Sequence, residues 1–513
     1  MVDLAHEKDP EILRQVAQMQ ERELERVKAR LRAATAELSV LRNETPEQLQ
    51  RKLLKLEEQL AQRERELFAR SSESRRDSFI GQRETETKTE SQKQRGHGPR
   101  NQPELPVIER SYELDAPDQV CTSCGGALGE MDGHFEESEE VDVVERRFVV
   151  VKHKRKKYRC ACGGCVETAL GPDKLRPGNR YSVDFAVEVA TAKYLDHLPL
   201  ERQVRIMKRE GLRVDSQTLW DQLEALARPL RDVPERILAA LLAEPVVGMD
   251  ETTWGMLDGS SSAKWYVWSV TGTRGVVHRI FESRSSEAAT ELLGDYAGTV
   301  VTDGFAGYQT AKRRGRFRLA HCWAHVRRKF LEAEHAYPRE AGAVLNLIDE
   351  LFALEGGSGA GPPERELVLK VRDERTRWVL RALLAWGLDI QRTALPESSI
   401  GKAAAYMCKL WTGLTRFRDD PDVPPSNNAS ERGLRGVVLG RKNHYGSKSK
   451  RGTEVAALFY TLFESAKLCG IEPKAYVRRA VRAAVQGNLV PLPHEVAAEL
   501  ATLAIADPSP NVP

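Results

Sequence analysis

The stretch EPVVGMDETTWGML, residues 244–257, poses the question on which the fold depends. Its apolar run, 245–249, predicts a buried strand, and the carboxylates of Asp250 and Glu251 follow directly. An Asp at the end of a strand commonly belongs to a turn. A carboxylate that binds metal at the strand end is the alternative, and the rest of the sequence has to distinguish the two.

Strands and helices continue after this stretch, and a second carboxylate follows a second buried strand. The connection GTRG between two alternating segments predicts a β-hairpin. A further strand, GTVVTD, ends at Asp303. The predicted elements, in chain order, are strands 264–271 and 275–282, helix 285–296, strand 298–303, a helix around 307–314, a strand in RFRLAHC and a long helix from Trp323.

Asp250 and Asp303 are predicted at the ends of two interior strands of one sheet, where their carboxylates would lie close together. Close carboxylates repel each other unless a cation joins them, and such oxygen ligands suit Mg²⁺ or Mn²⁺. Glu431, at the start of a helix that SNNAS can cap, is the best candidate for a third acid. Arg432 and Arg435 share its first turn and favour a phosphate-facing surface. Each acid alone fits a turn or a cap. The order of two aspartates after strands and a glutamate at a later helix start is more specific, and it favours a site where two ions about 4 Å apart act on a phosphodiester.

The motif HCWAH, before the long helix, places His321 and His325 four residues apart with Cys322 between them. A second metal site is one interpretation of this spacing. A histidine that positions DNA or the acids is the other.

A cysteine-rich segment predicts a zinc-binding module over 106–175. Five of the 8 cysteines of the chain lie in it, and in a reducing compartment such density indicates metal binding rather than disulfides. Two cysteine knuckles, CTSCGG and CACGGC, joined by a hairpin would form a tetrahedral thiolate site. Unliganded buried thiols are the alternative. The predicted zinc ligands are Cys121, Cys124, Cys162 and Cys165, with Cys160 as an alternative.

The N-terminal part has heptad-spaced leucines over 10–70, which favours a coiled coil or leucine zipper. A capped break at Thr45 and Pro46 leaves a two-helix hairpin within one chain as an equal alternative. Residues 71–105 are rich in Ser, Arg, Glu and Gln and have almost no large apolar residues, so their composition predicts a disordered linker.

The remaining segments are predicted to be helical. Three helices over 180–240 with a Gly-containing turn fit a helix-turn-helix DNA-binding region, although an ordinary helical bundle fits the weak pattern as well. Residues 336–420 predict helices inside a core of 244–465, and 466–513 predict C-terminal helices.

Composition indicates a soluble protein with a phosphate-rich partner. The 513 residues carry a net charge of only +3, but basic residues cluster at 152–159, 312–318, 327–329 and 441–451. Such clusters favour nucleic acid. The sequence has no apolar run long enough for a membrane helix and no signal-peptide core near residue 1, so we expect a cytoplasmic protein without membrane association.

These motifs, taken together, resemble the DDE transposases of bacterial insertion sequences, specifically the IS66 family. The similarity covers nearly the whole chain, including the leading zipper and the cysteine module. The strings that carry it, in the same order as in that family, are KYLDHLPLERQ, MDETTW, VVTDGFAGYQ, HCWAHVRRKF, NNASERGLR, LGRKN and SAKLCGIEPKAYVRR.

The resemblance implies an α/β, RNase H-like catalytic core with a mixed sheet flanked by helices. Asp250, Asp303 and Glu431 would be the metal ligands, and a helical insertion would precede Glu431. The implied reaction is metal-dependent cleavage at the ends of the element and strand transfer into target DNA, by a homo-oligomer and with accessory proteins of the same element as further partners. A DNA-binding protein of a decayed element and an RNase H-like nuclease such as a junction resolvase are the alternatives. The predicted phosphate contacts are Arg432, Arg435, Arg441 and Lys442.

Overall fold

A computed structural model of the protein describes residues 148–159, 165–257, 264–356 and 365–506. The predicted coiled coil, the linker and most of the zinc module lie outside the described residues. The chain divides into two compact units. Within the described residues, the larger comprises Pro172–Gln203 and most of Asp215–Ala497, and the smaller comprises the remainder.

The larger unit is built on a five-stranded mixed sheet with the order β5-β4-β3-β6-β7. Strands β3, β4 and β5 form an antiparallel meander, and β6 and β7 run parallel to β3. The hairpin predicted at GTRG is confirmed, since the N–H of Gly272 donates to the carbonyl of Gly275 between β4 and β5. The strands are β3 Val246–Trp254, β4 Trp265–Thr271, β5 Val276–Phe281, β6 Thr299–Thr302 and β7 Arg318–His321.

Strand β3 is longer than its sequence predicts. The prediction that Asp250 ends a strand is wrong, because β3 continues to Trp254 and pairs with β4 along that whole length. The parallel neighbour β6 leaves β3 earlier, after the pair Gly248 and Val301. Extending this register by two residues sets Asp250 level with Asp303, which follows β6 directly.

Helices cover the sheet and form a second core beside it. That core includes Trp323, Phe330, Leu345, Leu383 and Met407, all buried. The helices of the central region are α4 Val233–Leu242, α5 Ser286–Leu293, α6 Ala306–Arg314, α7 Trp323–Ala333, α8 Pro338–Gly356, α9 Arg365–Val371, α10 Arg377–Thr393, α11 Ser399–Lys409 and α12 Trp411–Leu414. Five of them, α8 to α12, lie within 336–420.

Two further groups of helices precede and follow this region. The N-terminal group is α1 Val183–Tyr194, α2 Leu200–Arg209 and α3 Ser216–Ala227, and the C-terminal group is α13 Asn428–His444, α14 Lys450–Leu468, α15 Pro473–Val485 and α16 Pro493–Ala506. Helix α1 packs on α14, where the ring of Tyr194 stacks 5.3 Å from that of Phe459. Among the helices that the structure describes, none has the length and apolar character that a bilayer span needs.

The outer edge of the sheet, strand β5, is covered by α14 through side-chain hydrogen bonds. The N–H of Val276 donates to Ser465 Oγ at 3.0 Å, and the N–H of His278 donates to Thr461 Oγ1 at 2.9 Å. Ser465 and Thr461 lie one helical turn apart, which matches the spacing of alternate outward N–H groups on the strand. The hydroxyls therefore satisfy donors that an edge strand would otherwise expose.

Helix α13 packs closely because small residues repeat along its buried face. Ser430, Gly433, Gly436 and Gly440 are all buried and follow spacings of three and four. A Cβ at Gly440 would lie 1.8 Å from the hydroxyl of the buried Tyr460, whereas a Cβ at Gly433 would lie 3.4 Å from Val276 Cγ2. The first contact is impossible without movement of a packed aromatic ring, and the second is ordinary.

The smaller unit contains the strand pair that flanks CACGGC. Strands β1, Lys157–Arg159, and β2, Val166–Thr168, pair in antiparallel register. Val149, Val150 and Val151, at the start of this described segment, are exposed.

We expect Gly440→Ala to lower the free energy of unfolding by about 1–3 kcal/mol, because the added methyl group overpacks against Tyr460. The matched control is Gly433→Ala in the same helix, which should be neutral or stabilise by up to about 1 kcal/mol through helix propensity. Denaturant titration of the two variants measures the difference. Equal effects of both substitutions would contradict the packing described for α13.

Candidate active site

The first two predicted acids lie at the point where β3 and β6 separate. Asp250 is in the middle of β3, and Asp303 is the first residue after β6. Hydrogen bonds between side chains and the backbone fix the turn after Asp303. Its Oδ1 accepts the N–H of Phe305 at 2.8 Å, and the hydroxyl of Tyr406 donates to its carbonyl oxygen.

The third predicted acid, Glu431, lies in the first turn of α13, and Asn427 determines where that helix begins. The prediction that SNNAS caps the helix is correct in position only. Asn427 is the N-cap residue, but its side chain makes no capping hydrogen bond. Its Nδ2 donates instead to the carbonyl of Met249 at 2.8 Å, and its backbone N–H donates to Cys322 Sγ at 3.1 Å. One buried amide thus joins the helix start to the strand residue before Asp250.

Close contact between α13 and β3 requires glycine at 248. A Cβ there would lie 2.2 Å from Ser430 Oγ and 2.6 Å from Asn427 Oδ1. Gly248 precedes Asp250 by two residues on the same strand face, and Ser430 immediately precedes Glu431. The absence of one side chain therefore allows the start of the helix to approach the carboxylate on the strand.

The carboxylates influence one another electrostatically. Burial, followed by the negative charges of Glu251, Asp303 and Glu431, raises the pKa of Asp250 to about 8. The charged form of Asp250 is therefore unfavourable among these groups alone, and a divalent cation would favour it. An all-oxygen donor set of this kind fits Mg²⁺ or Mn²⁺.

Glu251, the neighbour of Asp250, has its own partners. Its side chain is only 1% exposed, and Arg284 Nε donates to its Oε1 at 2.7 Å. The hydroxyl of Tyr308 donates to the other carboxylate oxygen. The guanidinium of Arg284 also lies 3.9 Å from the centre of the Phe305 ring. Glu251 is thus a buried carboxylate whose cationic partner, Arg284, is itself partly exposed.

The HCWAH segment contributes Cys322 and His325 to the surroundings of Glu431. His325 Nδ1 lies 3.6 Å from Glu431 Oε1, and the guanidinium of Arg328 lies 3.7 Å from Oε2. The ligand atoms of Cys322, His325 and Glu431 lie within 4.8 Å of one another, close enough to share a metal ion. The sequence alone did not identify Arg328 or this grouping with Glu431, because α7 and α13 are about a hundred residues apart in the chain.

His321, the other histidine of that motif, lies apart from this group. Its Nδ1 is 3.3 Å from Thr302 Oγ1, and its Nε2 is 3.3 Å from Gln309 Nε2. Burial lowers the pKa of His321 to about 4, so the ring is neutral. Because both ring nitrogens have protein partners, a metal site with His321 and His325 as a pair does not fit this arrangement.

The four predicted phosphate contacts divide into two kinds. Arg432, Arg435 and Lys442 are exposed on one face of α13, and no ion pair within the described residues involves them. Arg441 has a different position, since its guanidinium donates to Thr252 Oγ1 at 3.2 Å and to the carbonyl of Thr253. Arg441 therefore joins the C-terminal part of α13 to β3.

Of the predicted zinc ligands, the described residues include only Cys165. It is exposed, and its Sγ lies 3.6 Å from Glu167 Oε1. Cys121, Cys124, Cys160 and Cys162 lie outside the described residues.

The raised pKa of Asp250 predicts a pH-dependent stability without divalent metal. Between about pH 4, where an Asp in the unfolded chain titrates, and about pH 8, the folded state holds a proton that the unfolded state has lost. The free energy of unfolding should therefore fall as the pH rises through this window.

In chelator at about pH 8, Asp250→Asn should exceed the parent in stability by at least about 1 kcal/mol, and the difference should shrink towards about pH 4. Chemical denaturation across this pH range measures both proteins. A constant difference at all pH values would contradict the crowding of carboxylates around Asp250.

Comparison with known proteins identifies two family models along the chain. The model described as "Transposase IS66 family" matches residues 178–455, and that of the "zinc-finger binding domain of transposase IS66" matches residues 118–163. The second match supports a structural zinc ion. It includes Cys160 and Cys162 but ends before Cys165.

Two relatives come from Sinorhizobium fredii (strain NBRC 101917 / NGR234), and both are named as uncharacterized proteins. The protein y4jD is 30% identical over 413 residues, which are 77% of this chain and 79% of the relative. The protein y4hP is 28% identical over 402 residues, which are 72% of this chain and 71% of the relative. The first family model spans more than half of the sequence, from the helices before the sheet to α14. The chain therefore belongs to the IS66 family of transposases.

Proposed function

We propose that the protein is a DDE transposase that cleaves DNA at the ends of its element and joins those ends to target DNA, with Asp250, Asp303 and Glu431 as the acidic triad. The observation that carries this proposal is the convergence of the three carboxylates. The strand register sets Asp250 level with Asp303, and Asn427 joins the start of α13, whose first turn carries Glu431, to the residue before Asp250. Three segments far apart in sequence bring carboxylates close enough for Asp303 and Glu431 to raise the pKa of Asp250. Such crowding is costly to a fold and is typical of functional sites.

We further propose that the core is RNase H-like. This proposal is supported by the sheet topology, which is an antiparallel meander of three strands extended on one side by two strands parallel to the first. Asp250 lies on the central strand and Asp303 directly after its parallel neighbour, so the two acids lie level with each other where β6 leaves β3.

Divalent ions, when bound by these three carboxylates, would lower the pKa of the attacking water or hydroxyl and neutralise charge on the phosphodiester. The carboxylates would hold the ions, and the positive charge of the ions would hold the reacting strand. Arg432, Arg435 and Lys442, on the exposed face of α13, would contact flanking phosphates and set the register of the DNA. We do not assign Arg441 to this surface, because its guanidinium donates to β3.

In the proposed reaction the protein supplies no covalent nucleophile. Water attacks the phosphorus at the element end, the bond to the 3′ oxygen breaks, and a 3′-hydroxyl is released. That hydroxyl then attacks a phosphodiester of the target and displaces another 3′ oxygen. The contribution of the chain is to position these groups and to stabilise charge.

The neutral substitutions Asp250→Asn, Asp303→Asn and Glu431→Gln should each reduce Mg²⁺- or Mn²⁺-dependent cleavage by at least about a thousandfold, because each removes a charge that holds the ions. Binding of DNA should persist, since the exposed cations are unchanged. The assay is nicking and strand transfer of a duplex that carries the element's own end, followed on denaturing gels.

The matched control is Asp295→Asn, an exposed carboxylate outside the site. Glu251→Gln is unsuitable as a control, because the charge of Glu251 acts directly on Asp250 and its side chain is the partner of Arg284. Cleavage by a triad variant at the parental rate would exclude this assignment. DNA binding without cleavage by the parent would indicate a protein of a decayed element, and cleavage of junctions without strand transfer would indicate a resolvase.

We also propose that the zinc module uses Cys121 and Cys124 with two cysteines of CACGGC. The extent of the zinc-finger match supports Cys160 and Cys162 as that second pair, and the predicted pair Cys162 and Cys165 is the alternative.

Elemental analysis of the full chain should find about one zinc ion per chain in the parent and in Cys165→Ser. Cys160→Ser should lose most of the zinc, because a tetrahedral thiolate site with three ligands binds weakly. The reverse pattern would assign the site to Cys162 and Cys165. Retention of zinc in both single variants and in Cys121→Ser would exclude this set of ligands.

A further inference from the structure

Tyr445, the residue after α13, has an unusual backbone and an exposed ring. Its φ of 64° lies in the left-handed region, which residues other than glycine seldom adopt. The side chain is 71% exposed, although aromatic residues usually contribute to the core. The backbone of Tyr445 ends α13, since its N–H donates to the carbonyl of Arg441 at 2.8 Å, but this role needs no aromatic ring. An exposed ring on a left-handed backbone is a reason to look for a function.

The surrounding backbone holds Tyr445 rigidly against the end of β3. The N–H of Ser447 donates to the carbonyl of Gly255 at 3.0 Å, and the N–H of Leu257 donates to the carbonyl of Ser447 at 2.7 Å. Trp254 Nε1 also donates to Ser447 Oγ at 3.2 Å. A Cβ at Gly255 would lie 2.1 Å from the carbonyl oxygen of Tyr445, so the two segments are in direct contact. The backbone of Tyr445 is therefore held beside the end of the strand that contains Asp250, and its ring projects from there into solvent.

The surface around Tyr445 combines positive charge with apolar side chains. Lys442, Lys448 and Lys450 are exposed, and no ion pair within the described part of the chain involves them. Two leucines of the adjoining segments are also exposed, Leu439 at 50% and Leu257 at 46%. Lysines that lack acidic partners suit phosphates, and an exposed aromatic ring suits the face of a nucleobase.

We infer that Tyr445 is a stacking platform for an unpaired base of the DNA strand that is processed at the Asp250 site. This inference rests on the proposed function. A base can stack on a protein ring only where it has left the duplex stack or lies at its end, and cleavage at an element end creates such a base. A loop whose backbone is already held by hydrogen bonds loses little conformational entropy when the base binds, which favours stacking over a loose contact.

The experiment uses the full chain and short duplexes from the DNA that flanks its gene, made either fully paired or with an unpaired 2-aminopurine at the end. Stacking on Tyr445 should quench the 2-aminopurine, and Tyr445→Phe should retain both quenching and affinity. Tyr445→Asn should lose the quenching and bind the unpaired duplex about 5- to 150-fold more weakly, the equivalent of about 1–3 kcal/mol. Asn is chosen because it tolerates the left-handed conformation, so the loop is preserved.

The fully paired duplex, with no unpaired base, provides the specificity control, and its affinity should change little in Tyr445→Asn. Lys442→Gln should instead weaken both duplexes alike and reduce their salt dependence, as expected for a phosphate contact. Equal losses for both duplexes in Tyr445→Asn, or unchanged quenching, would overturn the inference. Asp250→Asn should retain quenching without cleavage, so failure of the triad and failure of the platform give different results.

Discussion

The close approach of α13 to β3 at Gly248 is the constraint on which the site depends. The buried Ser430 and Asn427 occupy the space that a side chain at 248 would need, and Asn427 donates to the carbonyl next to Asp250. Glu431 follows in the same helical turn. Any side chain at 248 would push the start of the helix away, and the carboxylate of Glu431 would move with it. The geometry of the site thus depends on the missing side chain at Gly248 as much as on the charged residues.

That geometry carries an electrostatic cost which the surrounding contacts have to offset. Asp250 is buried among three other carboxylates, and its pKa is raised accordingly. Two of the neighbours have cationic partners, since Glu251 pairs with Arg284 and Glu431 lies near Arg328. Asp250 has no such partner among the causes of its shift. A cationic ligand would therefore be the group that favours the charged form of Asp250, whereas Glu251 and Glu431 already lie beside cations of the fold.

The sequence predicts much of this core because its strands and helices have clear periodic patterns. The GTRG hairpin, the strand before Asp303 and the helix from Trp323 all occur as predicted. The end of β3 was missed because the polar run after Asp250 gives no apolar signal, although it pairs with β4. Strand pairing is a tertiary effect that local composition does not reveal.

Contacts across long sequence separations could not be predicted for a related reason. Periodicity gave Glu431 as a helix-start acid, but it could not reveal that Cys322 and His325 would lie beside it. The role of Arg441 was assigned from charge alone, and a basic motif does not distinguish a phosphate contact from an internal hydrogen bond to Thr252. Charge patterns indicate a partner class, and only the packing shows which cations remain free to bind it.

Helix α13 therefore unites parts of the proposed chemistry that would otherwise be independent. Its buried face contains small residues that fix its distance from the sheet, its first turn carries Glu431, and its exposed face carries Arg432, Arg435 and Lys442. Its C-terminal end is held to β3 by Arg441 and continues into the rigid loop of Tyr445. Because the same helix and strand join all of these groups, DNA bound along α13 would lie in a fixed relation to the carboxylates.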